Sequence, residues 1–268
     1  MNKCVLFCVV VAILSATYEA KNIETRIVEG SPAVNFQFPW HVLLRITHSN
    51  SAHESFCGGA LISASFVLTA ASCLRQVMRV QCDFGSILFS QPLVTLHSTQ
   101  VLSHPQYNAN FNTNDVAIIR LPQPVAFSTN IRAINLPTQS QAIDTFENRE
   151  VYIAGFGVTT PNGNVMSEQL RFAHQRVITN NQCLQHFNSQ FVQASTMCAS
   201  GIDNSLQTPC FGDRGGGLVS HIFGTWTLVG ITSFFHPAGC TGMAPAGYER
   251  ITSHLQWISF NTGIPIVP

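Results

Sequence analysis

Residues 210–216 read Cys210-Phe211-Gly212-Asp213-Arg214-Gly215-Gly216, and this stretch, with five others along the chain, decides the fold. At its centre stands Arg214, a permanent cation with five donors and no lone pair to attack a carbonyl. Working outward, GITSF follows at 230–234. Upstream lie NDVAIIRL at 114–121, LTAASC at 68–73, CGGALIS at 57–63 and RIVEG at 26–30. Short β-rich runs fill the chain at 41–46, 59–62, 66–69, 116–121, 151–154, 170–177 and 226–233, broken by Gly, Pro, Asn and Ser. Strands at this spacing indicate an all-β sandwich or barrel. A helical period emerges only at the end. There Ser253 is placed to cap a helix through Phe260, with Leu255 and Ile258 on one face and Gly263 beyond it. The Pro-, Thr-, Gln- and Ser-rich segment 124–145 joins two halves of similar size, and no internal repeat is visible.

The chain has 268 residues, 46% hydrophobic and 10% charged, enough to build a sizeable core in one or two globular domains. Thirteen basic residues balance 13 acidic ones without any charge run, which argues against nucleic acid or a membrane surface as partner. At the N-terminus Lys3 precedes an apolar stretch, 4–14, followed by small residues at Ser15, Ala16 and Ala20. That stretch is too short to span a bilayer and reads as a signal peptide cleaved after Ala16 or Ala20, so the protein is expected to be secreted and extracellular. Both lysines, Lys3 and Lys21, precede Arg26. Nine cysteines include Cys4 and Cys8 in the leader; seven remain, so at least one lacks an internal partner. No Asn-x-Ser/Thr sequon occurs.

From Arg26 to its C-terminus the chain resembles the chymotrypsin-like (S1) serine proteases, especially the brachyurin-like chymotrypsin branch of insect digestive enzymes. The six landmarks stand in that family's order over most of the chain. The resemblance implies an all-β fold of two six-stranded antiparallel β-barrels with a C-terminal α-helix and the active site in the cleft between the barrels. It divides the chain into a signal peptide (1–20), a short activation peptide (21–26) and a protease domain (27–268). It also implies the bridges Cys57–Cys73, Cys183–Cys198 and Cys210–Cys240, each stabilising by a few kcal/mol. Cys82 is left over. It shares strand parity with Val80 and Phe84, and both a buried thiol and an intermolecular bridge stay open.

In this family a serine attacks, a histidine shuttles the proton and a buried aspartate orients the histidine, in the chain order His, Asp, Ser. The aspartate is Asp115, but Ser72 occupies the histidine position and Arg214 the serine position. Asp115, well hydrogen-bonded in the family setting, is expected to be a poor base for Ser72. The oxyanion-hole donors would be the backbone N–H groups of Gly212 and Arg214. Arg214 either turns inward to pair with Asp115 or stays solvated in the cleft while Ser72 and Ser233 hold the carboxylate.

The resemblance places Thr208 at the base of the primary specificity pocket, where it would offer no carboxylate, and Phe235 where the family commonly has a glycine that keeps the mouth open, beside Ser233 and Phe234. Arg26-Ile27 matches an activation site whose new ammonium would pair with Asp213. The reading that follows is a secreted, monomeric serine protease homologue that is no enzyme and acts by binding a protein partner as cofactor, decoy or recognition protein. The alternative is a residual serine-type endopeptidase with non-standard catalytic residues. No cofactor or metal is expected.

Overall fold

The structure is a computed structural model that describes residues 30–51, 53–159, 163, 165–236, 240 and 244–268. The expected signal peptide, activation peptide and Arg26-Ile27 pair lie outside the described residues. The strands are β1 (Ser31–Pro32), β2 (His41–His48), β3 (Ser55–Ser63), β4 (Phe66–Thr69), β5 (Val77–Phe84), β6 (Val94–Ser98), β7 (Val101–Ser103) and β8 (Ala117–Arg120). The second half adds β9 (Glu150–Gly155), β10 (Arg171–Ile178), β11 (Thr196–Gly201), β12 (Gly217–Ile222), β13 (Thr225–Phe234) and β14 (Ala246–Arg250). Each β-rich run read from the sequence overlaps one of these strands, with 116–121 overrunning β8 by one residue at each end and 170–177 starting one residue before β10.

All named strand pairs are antiparallel, and they form two sheets. In the second half β9, β10, β11, β14, β13 and β12 pair in a ring, because β9 bonds both β10 and β12; β1 adds to the edge at β10. The first half runs β6-β5-β2-β3-β4-β8-β7. Its edge strands β6 and β7 are separated only by residues 99–100, so one interrupted strand serves both ends of the sheet. The two-barrel fold is therefore the one expected, closed in the second half and seamed in the first. Segment 124–145 connects the halves, with a 3₁₀ turn at Gln139–Gln141 and a single β-bridge from Asn135 to Thr227.

Period-two alternation explains the cores. On β2, Val42, Leu44 and Ile46 are fully buried; on β5, so are Val80 and Cys82, with Phe84 beside them. Ile153, Met197, Leu218, Val229 and Tyr248 fill the second barrel. Each such side chain contributes about 1.5–3 kcal/mol relative to exposure. All three implied bridges form. Cys82 is free and buried, which removes it from any intermolecular bridge of the folded chain; burial, and then the charge of Asp83, push its thiol up to about 12.

The terminal helix differs in detail. A one-turn helix α1 (Asn180–Cys183) precedes it in the chain, and helix α2 runs Leu255–Thr262 behind a 3₁₀ turn at Ile251–His254, so His254, not Ser253, occupies the cap position. The tighter turn uses the residues that a Ser253 cap would have needed. Leu255 and Ile258 are the buried face, and Gly263 ends the helix at φ 72°, its N–H reaching Ser259 O.

Candidate active site

The 210–216 loop is held by backbone more than by side chains. Gly212 and Gly215 have φ of 98° and 82°, where a Cβ is strained, and at Gly215 that Cβ would sit 2.2 Å from Thr69 Oγ1 and 2.5 Å from Gly58 O. The close approach lets Gly58 N donate to Arg214 O at 2.7 Å, fastening the loop to β3 of the other barrel. Asp213 is fully buried. Its Oδ1 accepts from Gly157 N at 2.7 Å and its Oδ2 from Cys210 N at 2.8 Å. Burial raises its carboxyl to about 6, and these two bonds only partly oppose that.

Asp115 lies just before β8, fully buried at the barrel interface. The 3₁₀ turn Ala71–Leu74 after β4 carries Ser72 to it: Ser72 N donates to Oδ1 at 2.7 Å and Ser72 Oγ to Oδ2 at 2.8 Å. Ser233, on β13, donates to Oδ2 at 2.7 Å. Desolvation raises the Asp115 pKa; the bonds from Ser233 and Ser72 oppose it, and the Arg214 charge opposes it least. Three donors thus already occupy the carboxylate: Ser72 N, Ser72 Oγ and Ser233 Oγ.

Arg214 does not pair with Asp115. Its guanidinium carbon lies 6.0 Å from the centroid of the Phe235 ring, and among the described residues it makes no ion pair. Phe235 also meets Phe211 edge-on, with centroids 6.2 Å apart, and packs against the core of the second barrel. Thr208 is buried near the Cys210–Cys240 bridge.

A cavity of about 320 Å³ opens beside these residues, lined by Ser72, Arg214, Gly212, Phe211, Phe235, the Cys57–Cys73 bridge, Phe56, Ser55 and His48. Three of these, Phe56, Ser55 and His48, the sequence reading did not single out. His48 Nδ1 is 2.9 Å from Arg75 O, and His48 Nε2 is 2.6 Å from Ser55 Oγ. A carbonyl only accepts, so in the neutral ring Nδ1 carries the proton and Nε2 accepts from the Ser55 hydroxyl. A hydroxyl, an imidazole and a group that orients the imidazole are thereby in register. The polar residues 49–51 between two strand-like runs were the one available signal, since they mark the hairpin that sets His48 near Ser55.

Tyr107 was also missed. Its phenol is pushed to about 12, first by burial and then by the Asp115 charge, against the nearby Arg75 and Arg214 and a hydrogen bond with Ser72. Behind Asp115 lies a buried pair, His254 Nε2 and Glu249 Oε1 at 2.7 Å, and Glu249 Oε2 accepts from Asp115 N at 3.2 Å.

Two β-barrels, a cleft between them and three bridges in this arrangement define a serine-protease-type scaffold. The family model described as Trypsin matches residues 27–258, and the chain belongs to that family. Among its relatives is the collagenase of Hypoderma lineatum, 34% identical over 241 residues, covering 90% of this chain and 89% of that protein. Serine protease 1 of Drosophila melanogaster is 31% identical over 246 residues, covering 91% and 88%. The solved structure of HL collagenase superposes with a TM-score of 0.81 at 32% identity, covering 89% of this chain and 99% of the other. The expectation that the chain is no enzyme is corrected by these likenesses: a trypsin family match across nearly the whole domain, and relatives named as proteases, point to peptidase chemistry.

Proposed function

We propose that the chain is a secreted serine-type endopeptidase that works with non-standard catalytic residues. The observation that carries this reading is the Ser55–His48 pair, oriented by Arg75 O and open to the cleft cavity. In the proposed step Ser55 Oγ attacks the peptide carbonyl carbon while its proton passes to His48 Nε2. The imidazolium returns that proton to the amine nitrogen as the C–N bond breaks, and water then hydrolyses the ester by the same route. Gly212 and Arg214 line the same cavity, and their N–H groups, without a hydrogen bond among the described residues, are the donors proposed to steady the oxyanion. Without a carboxylate aligned on the imidazole, turnover is expected about 10⁴-fold below that of an intact triad.

The three bridges and the trypsin-family match support secretion, with residues 1–20 as leader, 21–26 as activation peptide and 27–268 as the domain. A second reading is favoured by Arg214 itself. A cation at the triad's serine position, with aromatic rings beside it, suits holding a polypeptide as much as cutting one, and a protein partner bound there would make the chain a cofactor, decoy or recognition protein.

A fluorophosphonate probe followed by peptide mapping tests the first reading. Slow labelling of Ser55, lost in Ser55→Ala and His48→Ala together with hydrolysis of an internally quenched peptide, is the expected result. Label on Ser72 would move the chemistry to the Ser72–Asp115 pair, and no label on any serine would sink the reading.

A further inference from the structure

Arg214 is a half-buried cation without an ion-pair partner among the described residues, and its surroundings are unusual for a spare surface arginine. Its guanidinium lies by the Phe235 ring, and Phe235 and Phe211 touch each other on the same wall. Two backbone donors, the N–H groups of Gly212 and Arg214, make no hydrogen bond among the described residues, whereas Asp213, Gly215 and Gly216 N–H groups all do. The loop that carries them is fixed by Gly58 N on Arg214 O, so these donors do not need to be organised on binding. Two carboxylates behind the cavity are engaged, Asp115 by Ser72 and Ser233 and Asp213 by Gly157 and Cys210, and Glu54, beside Ser55, is exposed to solvent.

The described residues that line the cavity therefore offer a cation, unbonded N–H donors and apolar walls, and no Asp or Glu is among them. We propose that it is a binding site for the C-terminal carboxylate of a polypeptide whose last side chain is apolar; this rests on the cleft engaging polypeptide, as in the proposed function. A guanidinium suits a carboxylate because both are planar and two parallel N–H···O bonds form. Backbone N–H pairs are a general means of capturing a chain terminus. A chain end fits better than an Asp or Glu side chain within a passing strand. Phe211 and Phe235 meet edge-on and both line the cavity, a continuous aromatic wall against which a last side chain can end, and a terminus needs a way out on one side only. The terminal side chain would pack among Phe56, Phe211 and Phe235. A carboxylate there is also the group that peptide cleavage creates, so the site would retain an acyl product or intercept one made elsewhere.

The test uses the secreted full chain and fluorescein-labelled Gly-Ser-Gly-Ala-Leu-Leu in three forms: free acid, C-terminal amide, and an amide with one internal Leu changed to Asp. Fluorescence anisotropy is expected to show the free acid binding at least tenfold tighter than either amide. Arg214→Gln should erase that preference, and Arg214→Lys, which keeps the charge and loses the fork, should leave part of it. Equal affinity for acid and amide, or a preference that survives Arg214→Gln in a variant with unchanged circular dichroism, would overturn the site. Tight binding of the internal Asp peptide would also overturn it, in favour of a side-chain carboxylate. Hydrolysis by the Ser55 and His48 variants is measured separately, so loss of turnover with retained acid preference fails the peptidase reading and not this one.

Discussion

At position 214 one substitution changes charge, shape and chemistry together. Returning a serine there does not rebuild a triad, because Ser72 leaves no imidazole on Asp115. Members of a triad act as a unit. Arg214→Ser alone is expected to leave kcat/KM on a chromogenic peptide within tenfold of the parent. Adding Ser72→His should raise it by about 10²-fold or more. Rapid turnover by the single variant would contradict the placement of Ser72. Asp115, Ser72 and Arg214 were legible because each sits inside a motif whose neighbours fix its position. The Ser55–His48 contact was not, since it depends on hairpin register and on a carbonyl from residue 75, neither of which is written in side-chain identity. The Arg214 side chain did not turn inward to Asp115, which Ser72 and Ser233 already satisfy without a cation, and lies half-buried by the Phe235 ring.

Among the elements, β14 and the 3₁₀ turn before α2 act as the back wall of the site. Glu249 sits at the end of β14 and reaches both Asp115 N and His254 Nε2, joining the β8 approach to the C-terminal helix. Removing the carboxylate leaves two buried groups without partners. Glu249→Ala is expected to cost about 3 kcal/mol, read as a lower urea midpoint with unchanged slope. Glu249→Gln, which retains an acceptor, should lose less. This link was not legible. The sequence offered Leu255 and Ile258 as a buried helical face, and both are buried, but the 3₁₀ turn that points His254 back at Glu249 has no periodic signature. The strand runs were legible for the opposite reason: alternation with period two records which face meets the core.

Across the whole molecule, two buried groups set opposing pH dependences. His41 lies in the core with Nε2 unbonded among the described residues, its ring 5.7 Å from that of Phe156, and burial lowers its pKa to about 4. The unfolded chain therefore binds the extra proton first, and the stability that His41 contributes is lost as pH falls from about 6.5 towards 4. Asp213, raised to about 6, runs the other way: the folded state takes the proton first, so its contribution is present below about 3.9 and lost as pH rises through 6. Each is worth about 3 kcal/mol at most, so the two nearly cancel in the parent. His41→Leu removes one side of the balance. Its gain over the parent should grow from pH 7 to pH 4.5 by about 2 kcal/mol, measured by urea unfolding at both values. A constant difference would mean that His41 is not buried neutral.

The odd sulfur in β5 has a consequence for how the chain survives its own oxidation. Exchange requires a thiolate, and in the folded barrel the Cys82 thiol is both sealed and held far from ionising. An unfolded copy loses both protections at once and carries a nucleophile among six partners, able to shuffle bridges or join two chains. Folding order therefore matters: the first barrel has to close around β5 before oxidation proceeds far. The same sulfur is a built-in clock, since the rate at which a maleimide reaches it reports how often that barrel opens.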